Sequence, residues 1–135
     1  MEKLAAGFIV LSQDGKREVI GKKKESSSSP LAGKWHIPAE TAEAGESLWD
    51  TVRRGAEQEL GIWVNGLVEI DRIVNPYGVE VHWFVCGPFG NEKLTPGSDL
   101  AEAKWVERKN VLEEIDPLAA ELLPEKVKQY LESVR

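Results

Sequence analysis

Strand-like and helix-like segments alternate along the whole chain, and this alternation constrains the fold more than any other feature. Segments rich in apolar and β-branched residues predict strands at residues 5–11, 17–23, 33–38, 63–74, 79–86 and 102–106. Helices are predicted at residues 48–60, 110–115 and 118–134, and a loop at 39–45. A turn signal at residues 13–16 predicts that the first two strands form a hairpin. This order of elements indicates an α/β or α+β fold.

The size and charge of the chain narrow its class. A length of 135 residues is typical of one domain, which we expect to cover residues 1–135. The net charge of -6 argues against binding of duplex nucleic acid through a broad basic surface. Nucleotides remain compatible with this charge, because a metal ion can bridge an acidic site and a phosphate. The apolar runs are too short to span a membrane and the single Cys86 cannot form an internal disulfide, so we expect a cytoplasmic protein without a membrane partner.

The predicted helix at residues 48–60 has one face that combines apolar residues with a carboxylate. Ser47 is a favourable N-cap residue, and Gly61 stands where a helix C′ residue is expected. The helical period puts Glu59 inside an apolar stripe, next to Gly55; the stripe consists of Leu48, Val52, Ala56 and Leu60. A carboxylate in such a stripe is unfavourable unless it is paired or binds a metal. Glu59 is therefore either a partly hydrated or ion-paired residue, or a metal ligand that faces a cleft.

Residues 33–62 carry a longer pattern and read GKWHIPAETAEAGESLWDTVRRGAEQELGI. This stretch resembles the box of the Nudix family, G-x5-E-x7-R-E-U-x-E-E-x-G-U, in which U is a bulky apolar residue. The preceding G-x-W-x-x-P pattern is also present. The matching positions are Gly33, Trp35, Pro38, Glu43, Gly45, Glu46, Arg54, Glu59, Gly61 and Ile62. The resemblance implies a Nudix-like α/β/α sandwich with a mixed central β-sheet.

Two of the helix carboxylates of the family are replaced in this sequence. The first box glutamate falls on Gly55 and the next on Gln58, whereas Glu59 is kept. In the family these glutamates bind divalent metals, and the first can serve as the general base. The paired glycines that precede the helix fall on Ala39 and Glu40. The sequence thus keeps the scaffold and loses part of the metal site.

The loss suggests a compensated site for Mg²⁺ or Mn²⁺. Glu40 stands where a backbone ligand is expected, so Glu40, Glu43 and Glu59 together are candidate ligands of one ion. Gln58 offers a further carbonyl oxygen without charge. The alternative is that Glu40 and Glu43 belong to a solvated acidic loop.

Further catalytic assignments come from the resemblance. Glu46 and Arg54 resemble the pair that braces the loop against the helix. A loop glutamate outside the box sometimes serves as the base in Nudix enzymes. Glu102 is the candidate for this role here, with Asp99 behind it. Each of these two acids is alternatively a plain surface carboxylate.

Three residues are candidates to contact the substrate. His36 lies in the segment that lines the cleft of the family, and Trp35 and Trp83 are placed to stack on a base. The competing interpretation is that His36 is a packed or hydrogen-bonded residue and that all five tryptophans belong to the core.

Two functions of different class follow. The first is a Mg²⁺-dependent Nudix hydrolase that cleaves the pyrophosphate bond of a nucleoside diphosphate linked to another moiety. The second is a catalytically inactive Nudix-fold module that binds nucleotides. Both imply a small-molecule nucleotide or nucleoside diphosphate derivative as the partner. The oligomeric state is open, with a homodimer as one alternative.

Overall fold

A computed structural model describes residues 3–133. Its strands are β1 (Lys3–Val10), β2 (Arg17–Lys23), β3 (Trp35–His36), β4 (Ala39–Thr41), β5 (Val64–Val74), β6 (Val79–Pro88) and β7 (Leu100–Glu107). Its α-helices are α1 (Leu48–Gly55), α2 (Val111–Glu114), α3 (Pro117–Glu121) and α4 (Glu125–Glu132). A π-helical turn (Ala56–Leu60) extends α1, and a 3₁₀ turn (Arg108–Asn110) precedes α2. No helix among residues 3–133 has the length and apolar character needed to cross a membrane.

The strands form two sheets, which confirms the expected α+β class with a mixed sheet. The first sheet has the order β4-β1-β6-β5, with β1 and β6 parallel and the other neighbours antiparallel. The second sheet is antiparallel, with the order β3-β2-β7. The predicted hairpin of the first two strands is wrong. After a single bridge between Leu11 and Glu18, β1 stays on β6 while β2 pairs along its length with β7.

Two apolar cores lie on opposite faces of the first sheet. One packs under α1 and the π turn and contains Val52 and Leu60; the other packs under the C-terminal helices and contains Val127 and Leu131. Val52, Ala56 and Leu60 are fully buried, as the helical stripe predicts.

The segment predicted as a loop at residues 39–45 begins with a strand. Residues 39–41 pair antiparallel with β1, in a register that sets Glu40 opposite Ala6. Backbone hydrogen bonds hold both ends: Phe8 N donates to Pro38 O (2.9 Å) and Ala42 N donates to Leu4 O (2.8 Å). Glu40 consequently projects from a sheet rather than from a solvated loop.

The single C-terminal helix predicted at residues 118–134 is divided in two. Asp116 caps α3, because its carboxylate accepts a hydrogen bond from Leu118 N at 2.9 Å. Pro124 has no backbone N–H to continue this helix and instead stands at the start of α4. Residue 134 lies outside the described residues.

The expectation that all tryptophans belong to the core is wrong for two of them. Trp83 is buried, but Trp49 is 47% and Trp63 is 66% exposed. Trp63 lies between the buried Ile62 and Val64, so strand alternation turns its side chain outward.

Candidate functional site

A cavity of about 510 Å³ is lined by residues from both sheets, from α3 and from the residues that follow α3. Its charged lining includes Lys23 of β2, Glu40 of β4, Glu59 of the π turn and Asp99. Its apolar lining includes Val81 and Trp83 of β6 and the residues at 119, 122 and 123. A cavity that combines an apolar wall with a few converging charges has the character of a ligand site.

Glu59 reaches this cavity from the π turn that ends the helix. Gly61 adopts a left-handed conformation (φ 69°) and ends the turn, as the sequence predicts. The adjoining loop binds the free carbonyls: Thr95 N donates to Leu60 O (2.8 Å) and Gly97 N donates to Glu59 O (3.1 Å). π-Helical turns of this kind are frequent at functional sites.

The carboxylate of Glu59 is buried, and one of its oxygens has no hydrogen-bond partner among the described residues. The residue is 2% exposed, and its Oε2 atom has no hydrogen-bond partner among residues 3–133. Burial raises the pKa of Glu59 to about 8, and the nearby Glu40 carboxylate adds to this increase. Such a group needs a proton or a cation, which agrees with the interpretation of Glu59 as a ligand that faces a cleft.

Glu40 fills the space beside Gly55. A Cβ atom at position 55 would lie 2.9 Å from the Cβ of Glu40 and 3.1 Å from Cε1 of Phe8. Any larger side chain at position 55 would therefore displace Glu40. The carboxylate of Glu40 lies 3.8 Å from Arg54 Nη1 and is largely shielded from solvent.

Arg54 and Glu46 form the brace that the resemblance implies. Arg54 donates from Nε to Glu46 Oε2 (2.8 Å) and from Nη2 to Glu46 Oε1 (2.9 Å), and Nη2 also donates to Thr41 O (2.8 Å). Thr51 Oγ1 adds a hydrogen bond to Glu46 Oε1 (2.8 Å). The hydrogen bonds from Arg54 lower the pKa of Glu46 to about 2. This bidentate contact, together with the hydrogen bond to Thr41, holds the end of β4 against α1 and thereby positions Glu40.

Replacing Glu46 by Gln is expected to destabilise the fold by about 2 kcal/mol, because a charge-assisted, two-pronged contact is lost. The matched control is Glu43→Gln, since Glu43 also approaches Arg54 (3.7 Å) but is 70% exposed; we expect a loss below about 0.5 kcal/mol. Urea unfolding measures both. Because the pKa of Glu46 is below its ordinary 4.5, its contribution is complete above pH 4.5 and disappears as the pH falls toward 2. Equal losses for the two variants would contradict the brace.

Two predicted metal ligands lie outside the cavity. The Glu43 side chain is exposed, and the Oε1 atom of Gln58 accepts a hydrogen bond from Arg54 Nη1 at 3.4 Å. The structure thus brings Glu40 and Glu59 to one cavity and leaves Glu43 and Gln58 outside it. Within residues 3–133 no group of three or more His, Cys, Asp and Glu side chains is arranged to hold a metal ion.

The cavity contains an ion pair that was not predicted as a pair, although Asp99 was named behind Glu102 as a candidate base. Lys23 Nζ lies 3.1 Å from Asp99 Oδ2, and Ser27 Oγ donates to the same oxygen at 3.0 Å. The pairing register of β2 shifts between Lys22 and Lys23, which is the local irregularity next to this side chain. No signal in the sequence predicts that shift. Glu102, the predicted base, lies 3.7 Å from Lys22 on an exposed part of β7 and does not line the cavity.

Two of the three predicted substrate contacts line the cavity, and the third does not. His36 and Trp83 line the cavity and are both buried. Burial, supported by the charge of Lys23, lowers the pKa of His36 to about 4. The ring of Trp83 lies against Gly7, where no side chain would fit. Trp35 does not line the cavity, and Lys104 Nζ lies 4.5 Å from the centre of its ring.

Comparison with known protein families tests the resemblance to the Nudix box. The model of the family described as NUDIX domain matches residues 1–126. The chain belongs to the Nudix family.

Solved structures share the fold at low sequence identity. A MutT/nudix family protein from Enterococcus faecalis is 19% identical with a TM-score of 0.68, and the match covers 79% of this chain and 44% of that chain. The NUDIX domain of NrtR from Shewanella oneidensis, complexed with ADP ribose, is 17% identical (TM-score 0.75; 97% and 89% covered). An ADP-ribose pyrophosphatase from Streptococcus suis is 18% identical (TM-score 0.72; 100% and 93% covered). The chain thus spans less than half of the first of these proteins.

The Nudix family uses divalent metal ions, and the residues at the cavity fit one such ion. Mg²⁺ prefers oxygen ligands and is commonly held by one or two carboxylates together with substrate phosphates. Glu40 and Glu59 would provide these carboxylates, and the Oε2 atom of Glu59 has no competing hydrogen bond among the described residues.

Proposed function

We propose that this Nudix protein is a metal-dependent hydrolase that cleaves the pyrophosphate bond of a nucleoside diphosphate linked to another moiety. One observation carries the proposal: Glu40 occupies the space that a side chain at position 55 would take, and it lines the same cavity as Glu59. A carboxylate from β4 thereby compensates for the missing box glutamate.

The residues of the cavity have distinct roles in this proposal. Glu40 and Glu59 would hold Mg²⁺ or Mn²⁺, and a bound ion neutralises charge on phosphate oxygens. Arg54 keeps Glu40 in place through the brace with Glu46. Lys23, paired with Asp99 inside the cavity, presents a cation to the phosphates of the substrate.

The base in this proposal is Asp99 rather than Glu102. Asp99 lines the cavity and accepts hydrogen bonds from Lys23 and Ser27, so its carboxylate is held in place to take a proton from water. Glu102 is the competing candidate, but its exposed side chain faces Lys22. We therefore expect Asp99→Asn to reduce turnover more than Glu102→Gln.

ADP-ribose is the first substrate to test, because one protein of similar fold was crystallised with ADP ribose and another is an ADP-ribose pyrophosphatase. We expect release of AMP and ribose 5-phosphate from ADP-ribose in the presence of Mg²⁺ or Mn²⁺, and no release in EDTA. Dinucleoside polyphosphates and nucleoside triphosphates form the comparison set. Failure of all of them to be hydrolysed with either metal would contradict the proposed activity.

A second function, nucleotide binding by a catalytically inactive module, is favoured by one different observation. Gln58 contacts Arg54 and Glu43 is exposed, so only two of the four predicted metal ligands, Glu40 and Glu59, line the cavity. A protein that binds ADP-ribose but does not hydrolyse it, with or without Mg²⁺ or Mn²⁺, would fit this alternative.

The remaining sequence-based expectations stay predictions. They are a cytoplasmic location, the absence of binding to duplex nucleic acid, and a homodimer as one alternative for the oligomeric state. Size-exclusion chromatography with light scattering tests the last of these.

A further inference from the structure

Three large aromatic side chains that do not line the cavity are exposed elsewhere on the protein. Trp49, Trp63 and Phe89 are 47%, 66% and 68% exposed. Trp63 and Phe89 stand side by side just beyond the paired ends of β5 and β6, where Phe89 N donates to Trp63 O (2.7 Å). Exposed aromatic residues that cluster in this way are typical of protein–protein interfaces.

A groove of about 260 Å³ joins these aromatic residues to α1. It is lined by Arg53, Glu57, Trp63, Val64, Asn65 and Phe89. Arg53 extends from this groove to Trp49, because its guanidinium carbon lies 5.6 Å from the centre of the Trp49 ring. One continuous surface, which we call the aromatic face, is therefore formed by Trp49, Arg53, Glu57, Trp63 and Phe89.

The two charges of the aromatic face have no ion-pair partners in the described part of the chain. Arg53 and Glu57 are exposed, and neither forms an ion pair among residues 3–133. One cation and one anion give the groove no net charge, whereas the whole chain carries a net charge of -6. The groove can therefore meet a second copy of the chain without the like-charge repulsion that acidic surfaces would cause.

The order of these residues along α1 and the π turn is complementary to itself. When two copies of α1 lie antiparallel about a two-fold axis at position 55, Arg53 of each copy lies opposite Glu57 of the other. The same axis sets Trp49 opposite position 61 of the second copy, two residues before Trp63, which lines the groove. One symmetry operation thus pairs both charges and places each Trp49 against the groove of the other copy.

We propose that the aromatic face is the interface of a symmetric homodimer, in which Trp49 of each copy packs into the groove of the other and Arg53 pairs with Glu57 of the second copy. Tryptophan and arginine are among the residues that contribute most to the stability of such interfaces. This dimer does not depend on the proposed hydrolysis, because no residue of the aromatic face lines the cavity.

Sedimentation velocity of the full chain, from about 1 µM to about 1 mM, is the first measurement. We expect an equilibrium between monomer and dimer that shifts to the dimer as the concentration rises. Trp63→Ala should weaken the dimer about 30-fold, because truncation of a central aromatic side chain commonly has an effect of this size at an interface. The matched control is Tyr77→Ala, which should dimerise like the wild type, since Tyr77 is also exposed but lies in the turn between β5 and β6.

An exchange of charges tests the symmetry of the interface. Arg53→Glu leaves two anions in each groove and Glu57→Arg leaves two cations, so each variant alone should be monomeric at concentrations where the wild type dimerises. An equimolar mixture of the two variants should form a heterodimer, because each contact then joins opposite charges. The chain that carries both substitutions should dimerise with itself for the same reason. The matched control is Arg17→Glu, because Arg17 is an exposed arginine of β2 outside the aromatic face.

Three results would overturn the proposed dimer. The first is a wild-type chain that stays monomeric over the whole concentration range, which would leave the aromatic face to a different partner protein. The second is a dimer that Trp63→Ala leaves unchanged. The third is a mixture of the two charge variants that does not associate. None of these results bears on the proposed hydrolysis, since the mass of the particle is measured without substrate or metal.

Discussion

Replacing Glu40 by Gln is expected to reduce metal-dependent hydrolysis of ADP-ribose about 100-fold or more. The substitution keeps the shape of the side chain beside Gly55 but removes the carboxylate of one of the two proposed metal ligands at the cavity. A metal ligand contributes several kcal/mol to the stabilisation of a phosphoryl transition state, and about 1.4 kcal/mol corresponds to a factor of ten in rate. Steady-state assays over a range of Mn²⁺ concentrations measure the effect.

The matched control for this substitution is Glu57→Gln. Glu57 belongs to the same π turn as Glu59 but is exposed and lies outside the cavity. We expect its activity to stay within about twofold of the wild type, since surface substitutions usually change little. Full activity of the Glu40→Gln variant would show that the ion, if bound, does not use this carboxylate.

Replacing Glu18 by Gln is expected to stabilise the protein by about 3 kcal/mol at pH 7. Glu18 of β2 is fully buried, and neither of its carboxylate oxygens has a hydrogen-bond partner among the described residues. Burial raises its pKa from 4.5 to about 8, and the charge of Arg108 opposes this increase only in part. Tyr130 of α4 lies in the same environment, beneath the guanidinium group of Arg108.

The sign of this effect follows from the two pKa values. Below pH 4.5 the carboxyl group is protonated in the folded and the unfolded state, so Glu18 carries no penalty. Between pH 4.5 and 8 the unfolded state releases the proton while the folded state retains it, and the folded protein loses stability as the pH rises. Urea unfolding at several pH values should therefore show a gain for Glu18→Gln that is small at acidic pH and grows toward pH 8. A gain independent of pH would contradict the buried ionisation, and the exposed Glu113→Gln variant serves as the control.

Glu59 was predictable because its position depends only on local rules. The N-cap at Ser47, the helical period and the C′ glycine at 61 fix the helix, and the period alone puts Glu59 on the buried face. The Glu46–Arg54 contact was likewise implied by the spacing of the family box. Both features need no knowledge of how the rest of the chain folds.

Glu40 and Lys23 were not predictable in the same way, because tertiary pairing positions them. Residues 39–41 resemble a polar loop and become a strand only through pairing with β1. Lys23 turns into the cavity at a register shift between β2 and β7, two strands far apart in sequence. Glu18 shows the same limit, because the residues that interact with its carboxylate, Arg108 and Tyr130, lie far from it in the sequence.

The proposal that Glu40 replaces the missing box glutamate at position 55 is tested most directly by variants that move the carboxylate from β4 to α1. Calorimetric titration of Mn²⁺ compares the wild type with Glu40→Gly, Gly55→Glu and the double variant that carries both changes. Glu40→Gly should lose binding, and Gly55→Glu alone should be destabilised, because its side chain meets Glu40 and Phe8. The double variant should bind Mn²⁺ again, since the new glutamate enters the space that Glu40 leaves. Wild-type affinity in Glu40→Gly, or no recovery in a folded double variant, would contradict the compensation.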